Sequence, residues 1–291
     1  MKKAFLIAAA SSGSGKTTLT IGLLRALRNK GYRVQAFKCG PDYIDPLYHR
    51  IACGKDSVNL DTWMQSEQDV KQVFLRYSHD ADICIVEGVM GLYDGADGIR
   101  GSSAEVAELL GIPVILVINA RSMAHSIAPI LKGYLTYRPA TQIAGVIFNN
   151  VGSSRHEQML HHAAEEVGMP VIGAIPRMKE LYSPSRHLGL DISETERLDQ
   201  LAEKVADIIN KEQLTINNCQ PSTLNFNTDS KLSTFNFQLS TFNSAPAKAA
   251  RIYIARDAAF NFLYRQTIDY LCEVLGVDDK SCETSKDLEE K

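Results

Sequence analysis

The 291-residue chain has no surplus of charge of either sign: 31 lysines and arginines stand against 34 aspartates and glutamates, a formal net charge of −3. A general nucleic-acid binder needs a basic excess to displace the counterions of a phosphate backbone, so that class is excluded. No apolar stretch reaches the roughly 18 residues that a membrane span requires. The six cysteines are scattered without a C-x-x-C pair, which argues against both a disulfide framework and a zinc site. Met1-Lys2-Lys3 ahead of apolar residues 4–10 has the outline of a leader peptide. That run is short, however, and passes straight into a glycine-rich motif that needs it as a strand, so a cytoplasmic chain is expected.

What is present is alternation. Continuous apolar runs at 4–9, 33–37, 83–87, 114–118, 143–148 and 171–174 suit parallel strands covered on both faces. Amphipathic stretches at 16–30, 66–78, 103–110, 122–137, 156–167 and 194–210 separate or follow them. Strand, helix and strand repeating in this way predicts an α/β fold over residues 1–213, a doubly wound and mainly parallel sheet. Ligands are expected at the carboxyl ends of its strands.

Residues 214–248 differ. Between positions 215 and 244, Asn, Ser and Thr supply 16 of 30 residues, and L-S-T-F-N occurs twice, seven residues apart. Two copies rich in β-branched residues, Asn and Ser fit neither a coiled coil nor a solenoid, and the stretch reads as a low-complexity linker. Residues 249–291 restart with a strand-like run and one amphipathic helix before turning charged. That is too little to bury a core of its own, so an incomplete second α/β domain is expected there. Its apolar 251–275 segment favours self-association, as in a homodimer.

The strongest chemical signal is Ala10-Ser11-Ser12-Gly13-Ser14-Gly15-Lys16-Thr17, followed by Thr18, between the first strand and the first helix. This is the context of a Walker A phosphate loop. Its glycines let backbone N–H groups converge on phosphate oxygens, and the helix amino end adds partial positive charge. Lys16 would reach the β- and γ-phosphates of ATP, and the Thr17 hydroxyl would ligate Mg²⁺. Ser11 stands where MinD- and ParA-type ATPases carry a second lysine, which argues against that dimerising group.

Two acidic clusters follow strands: Lys38-Cys39-Gly40-Pro41-Asp42-Tyr43-Ile44-Asp45-Pro46, and Glu87-Gly88-Val89-Met90-Gly91-Leu92-Tyr93-Asp94-Gly95. Mg²⁺ takes hard oxygen ligands and few carboxylates beyond phosphate and water, so Thr17, Asp45 and Glu87 form a sensible set. Asp42 and Asp45 share a Pro-bracketed loop, in which a pure turn role suits one of them. His49, in the same block, is the histidine expected near the site. His161-His162, beside Glu165-Glu166, reads as a solvated helix face.

A-S-S-G-S-G-K-T-T, F-K-C-G-P-D-Y-I-D-P-x-x-H, V-E-G-V-M-G-L-Y-D-G and S-P-S-R-H-L-G-L, in that order, resemble the cobyrinic acid a,c-diamide synthase family. R-I-Y-I-A-R-D-A-A-F-N-F-L-Y resembles the opening of its glutaminase domain. The resemblance implies a dethiobiotin synthetase-like, ATP-dependent amidoligase over residues 1–213. It would phosphorylate the c and then the a carboxylate of a corrinoid so that ammonia can displace phosphate. It also implies that Ser12, Gly13, Ser14, Gly15, Lys16, Thr17 and Thr18 bind the triphosphate and that Asp45 and Glu87 hold Mg²⁺. Asp94 would orient the substrate carboxylate or the intermediate, and Tyr43, Ile44, Arg186 and His187 would meet the substrate. Asn149 and Arg177 would line the adenine pocket.

Family members draw ammonia from glutamine through a cysteine nucleophile in a strand-to-helix turn, activated by histidine. Here no histidine follows His187, Cys272 sits mid-helix and Cys282 lies in a charged tail. Ammonia is therefore the expected nitrogen source for this chain. The same blocks leave two other readings open: a nickel-sirohydrochlorin a,c-diamide synthase, and a non-catalytic ATP-binding regulatory module. Intact Lys16, Thr17, Asp45, Glu87 and Asp94 weigh against the second.

Overall fold

The strand that leads into the glycine-rich loop lies at the middle of the sheet. The computed structural model describes residues 3–177, 199–206 and 265–269. Seven parallel strands, β1 (Lys3–Ala9), β2 (Val34–Cys39), β3 (Val58–Leu60), β4 (Ile83–Glu87), β5 (Val114–Asn119), β6 (Ile143–Val151) and β7 (Val171–Pro176), run in the order β3-β2-β4-β1-β5-β6-β7. Every residue of β2, β3 and β4 is buried. That explains why apolar residues dominate them, and why the exceptions, Gln35, Lys38, Asn59 and Glu87, are buried with hydrogen-bond partners of their own.

Helices α1 (Lys16–Asn29), α2 (Asp45–Cys53), α3 (Glu67–Ser78), α4 (Ser103–Leu110), α5 (Ile127–Tyr137) and α6 (Ser154–Glu166) alternate with the strands. Two separate apolar cores result. One gathers Leu6, Phe37, Phe74, Leu110, Leu116 and Phe148, and the other Ile7, Leu24, Tyr48, Ile85, Val117 and Leu201. Because successive β residues point to opposite faces, Leu6 and Ile7 of β1 feed different cores. Residues 199–206 are helical and lie on α1. There Arg25 grips Asp199 through two hydrogen bonds of 2.6 and 2.9 Å, and a Cβ at Gly22 would lie 2.7 Å from Val205.

Differences from the expected elements are local. α2 occupies what reads as a Pro-bracketed loop, and Asp45 opens that helix instead of lying in a turn. Asp42 is the turn-former: its Oδ1 accepts the amides of Ile44 at 2.8 Å and Asp45 at 3.1 Å and closes the turn that leads into α2, while Pro46 sits where a missing N–H costs nothing. β3 and α2 are additions. α5 begins at Ile127, five residues later than the apolar pattern, because Ser122 adopts a left-handed φ of 62° that a helix cannot contain. The expected linker and nearly all of 249–291 lie outside the described residues. So does the expected self-association surface, apart from 265–269. Among the described residues no helix is long and apolar enough to cross a membrane.

Candidate active site

The site forms where β1, β2 and β4 end side by side. α1 starts at Lys16 immediately after Gly15, whose φ of 91° is left-handed and whose position carries no side-chain cap. The first turn of α1 holds no acidic residue, so the partial positive charge of its amino end is left for an anion. The loop before it is fixed from two sides. Ser14 Oγ donates to Ser11 O at 2.8 Å, and Asn149 Nδ2 donates to Ser14 O at 2.9 Å. A Cβ at Gly15 would stand 2.2 Å from that same Asn149 nitrogen, so only glycine fits there.

Lys38 of β2 and Glu87 of β4 are register partners, which places their side chains on one face of the sheet. Both are almost fully buried, at 2% and 0% exposure. Lys38 Nζ lies 2.5 Å from Asp45 Oδ2, 3.2 Å from Glu87 Oε1 and 3.5 Å from Asp42 Oδ2. The Thr17 hydroxyl donates to Glu87 Oε1 at 2.6 Å and approaches Asp45 Oδ2 at 3.4 Å. On the far side, His49 Nε2 meets Glu87 Oε2 at 2.6 Å, and His49 Nδ1 meets Ser57 Oγ at 3.0 Å. An ionised carboxylate only accepts, so Nε2 is the nitrogen that carries the proton.

Electrostatics sort these groups. Burial opposes charge on Glu87, but Lys38 beside it and the His49 hydrogen bond hold its carboxyl well below the usual range. Asp45 gives way in the competition for Lys38: burial and the Glu87 charge outweigh the lysine and raise its carboxyl to about 6. Lys38, held among three carboxylates, is raised against the cost of its burial. Lys16 is lowered, first by burial and then by repulsion from Lys38. It rests on Gly88 O at 2.6 Å, with Glu87 Oε1 3.9 Å away.

The structure thus brings Lys16, Thr17, Asp45 and Glu87 together. It adds Lys38, which the residue pattern conceals as the polar member of an apolar strand, and it places His49 in direct contact with Glu87. A fully buried lysine beside carboxylates is the signal that marks it, and that signal needs the β2–β4 register. Asp94 stands outside this hydrogen-bonded cluster: its Oδ2 accepts the Gly91 amide at 3.0 Å and closes the turn after β4. Asn149 has both ends of its amide engaged, on Ser14 O and on the Asn150 amide at 2.9 Å, so it braces the loop at the position expected to line the adenine pocket. Arg177, exposed at the end of β7, donates its backbone N–H to Val151 O. Ser12 and Gly13 are exposed at the loop tip, Thr18 lies in the first turn of α1, and half-buried Tyr43 and Ile44 lead into α2. Arg186 and His187 lie outside the described residues. His162 is exposed and His161 half-buried on α6.

A family model described as the CobQ/CobB/MinD/ParA nucleotide binding domain matches residues 5–190. The chain belongs to that family. Within the CobQ/CobB/MinD/ParA family, it is 42% identical over 275 residues to a cobyrinate a,c-diamide synthase of Priestia megaterium, covering 91% of this chain and 57% of the relative. A hydrogenobyrinate a,c-diamide synthase of Mycobacterium bovis is 50% identical over 193 residues, 64% of this chain and 42% of that protein. The chain therefore spans about half the length of these curated relatives. Among solved structures, a cobyrinic acid a,c-diamide synthase from Mycobacterium smegmatis with bound ADP and magnesium aligns over 62% of this chain. It does so with 18% identity and a TM-score of 0.41.

Proposed function

We propose that this chain is the ATP-dependent amidoligase part of a corrinoid a,c-diamide synthase, converting peripheral carboxylates of cobyrinic acid to amides with ammonia. The observation that carries the reading is the cluster in which Lys16, Thr17, Lys38, Asp45 and Glu87 meet beside the bare amino end of α1. The similarity to named diamide synthases over most of the chain supplies the substrate class.

The chemistry requires activation because a carboxylate is a poor electrophile with a very poor leaving group. In the proposed sequence, a substrate carboxylate oxygen bonds to the γ-phosphorus of ATP and the β–γ bridging bond breaks, releasing ADP. Ammonia then adds to the acyl carbon of the resulting acyl phosphate, the C–O bond to phosphate breaks, and one proton leaves with the nitrogen's change of bonding. Lys16 and the N–H groups of residues 12–18 would offset charge on the triphosphate and the transferring group, while Lys38 keeps the buried carboxylates of Asp45 and Glu87 paired. Asn149 holds the loop in its phosphate-ready shape, and His49 keeps Glu87 ionised and oriented.

Thr17 Oγ1, Asp45 Oδ2 and Glu87 Oε1 present adjacent hard oxygens and few carboxylates, a donor set that suits Mg²⁺. Among the described residues no group of three or more His, Cys, Asp or Glu forms a metal cluster. When bound, the ion supplies Lewis-acid charge neutralisation at the phosphates.

The test supplies ATP, Mg²⁺ and cobyrinic acid with either ammonium or glutamine and follows product mass. Monoamide and diamide from ammonium are expected. Absence of amide from ammonium overturns the reading, and amide on nickel-sirohydrochlorin in preference to cobyrinic acid redirects it to the nickel-tetrapyrrole ligase.

A further inference from the structure

Next to the phosphate end of the site lies a second feature that the cluster above does not use. A cavity of about 550 Å³ opens between the strand-end loops, walled by Tyr43 and Ile44 ahead of α2, Trp63 after β3, Met90 after β4, and Gly101 ahead of α4. Two of its apolar side chains are exposed, Trp63 at 48% and Met90 at 43%. Each is held there by the backbone around it, Met90 under strain. Met90 adopts a φ of 45°, a left-handed conformation that costs an ordinary residue about 1–2 kcal/mol. The turn that imposes it is locked by the Gly91 amide on Asp94 and by the Leu92 amide on Ala9 O at 2.8 Å. Trp63 is fixed by Asp61, whose Oδ1 accepts the amides of Trp63 at 2.9 Å and Met64 at 3.2 Å. Strain of this kind persists only where the surrounding structure imposes it, and it gathers at ligand clamps.

The charge beside the cavity is equally specific. The Arg100 guanidinium lies over the Trp63 ring, 5.0 Å from its centroid. It is exposed and makes no ion pair among the described residues. A tight loop delivers it there, closed by the Gly95 amide on Gly98 O, the Ala96 amide on Arg100 O and the Arg100 amide on Asp97 O. One side chain joins the two walls: Glu105 of α4 accepts both the Thr62 hydroxyl and the Gly101 amide, the latter at 2.7 Å. Of the two acids of the wall, Asp42 is engaged with Lys38 and the turn into α2, while Asp61 gives Oδ1 to its turn and keeps Oδ2 buried without a partner among the described residues. An apolar platform with a guanidinium at its rim that makes no ion pair among the described residues matches a broad apolar ring that carries carboxylates on its edge.

We propose that Trp63 and Met90 form the platform for the ring of a polycarboxylate tetrapyrrole, that Arg100 pairs with one of its peripheral carboxylates, and that Glu105 is the positioning residue that sets the two walls. The ring's identity rests on the amidoligase reading, whereas the platform itself rests on the cavity. It sets the ring against the Asp42–Asp45 turn, so that one peripheral carboxylate reaches the phosphate cluster while another is anchored away from it.

Trp63 is the chain's one tryptophan, so its emission reports on the cavity directly. The full chain is titrated with cobyrinic acid and, separately, with its fully esterified form, with correction for absorption by the ring. Saturable quenching is expected for the acid. Arg100→Met should weaken the acid at least about tenfold, as for loss of a charge-assisted pair, and Arg100→Lys should recover part of it. The ester should bind wild type and Arg100→Met alike.

In amide formation from ammonium, Trp63→Ala and Arg100→Met should raise KM for the corrinoid with KM for ATP unchanged, and Trp63→Phe should retain most of the affinity. Glu105→Gln should raise the same KM while leaving ATP binding and kcat near wild type. Equal affinity of wild type and Arg100→Met for the acid overturns the proposal, as does amide formation without quenching. Quenching without amide formation leaves the platform standing and overturns the amidoligase reading instead.

Discussion

Lys16 Nζ and Lys38 Nζ converge on one acceptor, the carbonyl oxygen of Gly88, at 2.6 and 3.2 Å. Two ammonium groups brought this close repel each other, and the arrangement holds because Glu87, Asp45 and Asp42 surround them. The two lysines are not equivalent within it. Lys38 is the counter-ion of a buried carboxylate, whereas Lys16 rests on a carbonyl and is free to move onto a phosphate.

Replacement therefore separates folding from function. Lys38→Met strands Glu87 and Asp45 as buried, uncompensated anions, and should cost about 3–5 kcal/mol of stability. Lys16→Met removes a repelling charge and should change stability by less than about 1 kcal/mol while abolishing ATP turnover. Urea denaturation of both variants beside an ADP-release assay checks the contrast. Equal destabilisation would show that Lys38 is not the structural counter-ion.

Glu87 supplies one oxygen to Thr17 and Lys38 and the other to His49. Glu87→Gln keeps the shape but presents an NH₂ to one side, so either His49 or the Thr17–Lys38 pair loses its acceptor. ADP production should fall at least about a hundredfold, comparable to loss of a group that orients transition-state charge. His49→Ala leaves Glu87 in place but frees its orientation, and should lower kcat by about tenfold to a hundredfold, the range seen for outer partners of ligating groups. If Glu87→Gln still released ADP at the wild-type rate, the carboxylate would have no part in turnover.

How much of this was legible in the sequence depends on how local each signal is. The strands β1, β4, β5, β6 and β7 announce themselves because burial favours runs of Val, Ile, Leu and Ala, and β2 shows a shorter apolar stretch around Val34, Ala36 and Phe37. β3 has three residues, too few for a pattern, and it exists only because Phe37–Cys39 offers an edge to pair with. α2 is masked by the Pro41 and Pro46 that bracket it, although Pro46 is well placed in a first helical turn. The phosphate loop reads directly since its function requires contiguous residues. Lys38, Trp63 and Arg100 do not, since their roles come from neighbours 7 to 49 positions away in sequence that meet only through register and loop closure.

Asp45 gives the site a pH dependence whose sign is fixed. Its carboxyl is raised to about 6 by burial and by Glu87, so the neutral form favours the folded, metal-free chain. That contribution is fully present below its unfolded value of about 3.9 and is lost as pH rises through about 6. In the proposed Mg²⁺ set Asp45 must be ionised to ligate. Mg²⁺–nucleotide affinity should thus be flat above about pH 6 and fall about tenfold per unit below it, with up to one proton released per ion bound. Calorimetry at pH 5.5 in two buffers of different ionisation enthalpy measures that proton. Asp45→Asn should bind more weakly and lose the pH dependence, and an unchanged profile in that variant would assign the proton to another group.

Gly15 and Asn149 form a pair whose coupling can be measured. Gly15→Ala meets two separate penalties: a left-handed φ of 91°, and a Cβ placed 2.2 Å from Asn149 Nδ2. Asn149→Ala removes the second penalty but forfeits the hydrogen bond that braces Ser14 O. The backbone strain alone is about 1–2 kcal/mol, and an interacting pair of this kind adds a coupling of about 0.5–3 kcal/mol. The double variant should therefore be more stable than the sum of the single losses predicts, yet still below wild type because the φ penalty remains. Its nucleotide affinity should not recover, since the Ser14 carbonyl is then unbraced and the loop's N–H groups lose their fixed aim at phosphate. Full additivity in denaturation experiments would mean that Asn149 yields freely to the new methyl group, and that the glycine is required for its backbone conformation alone.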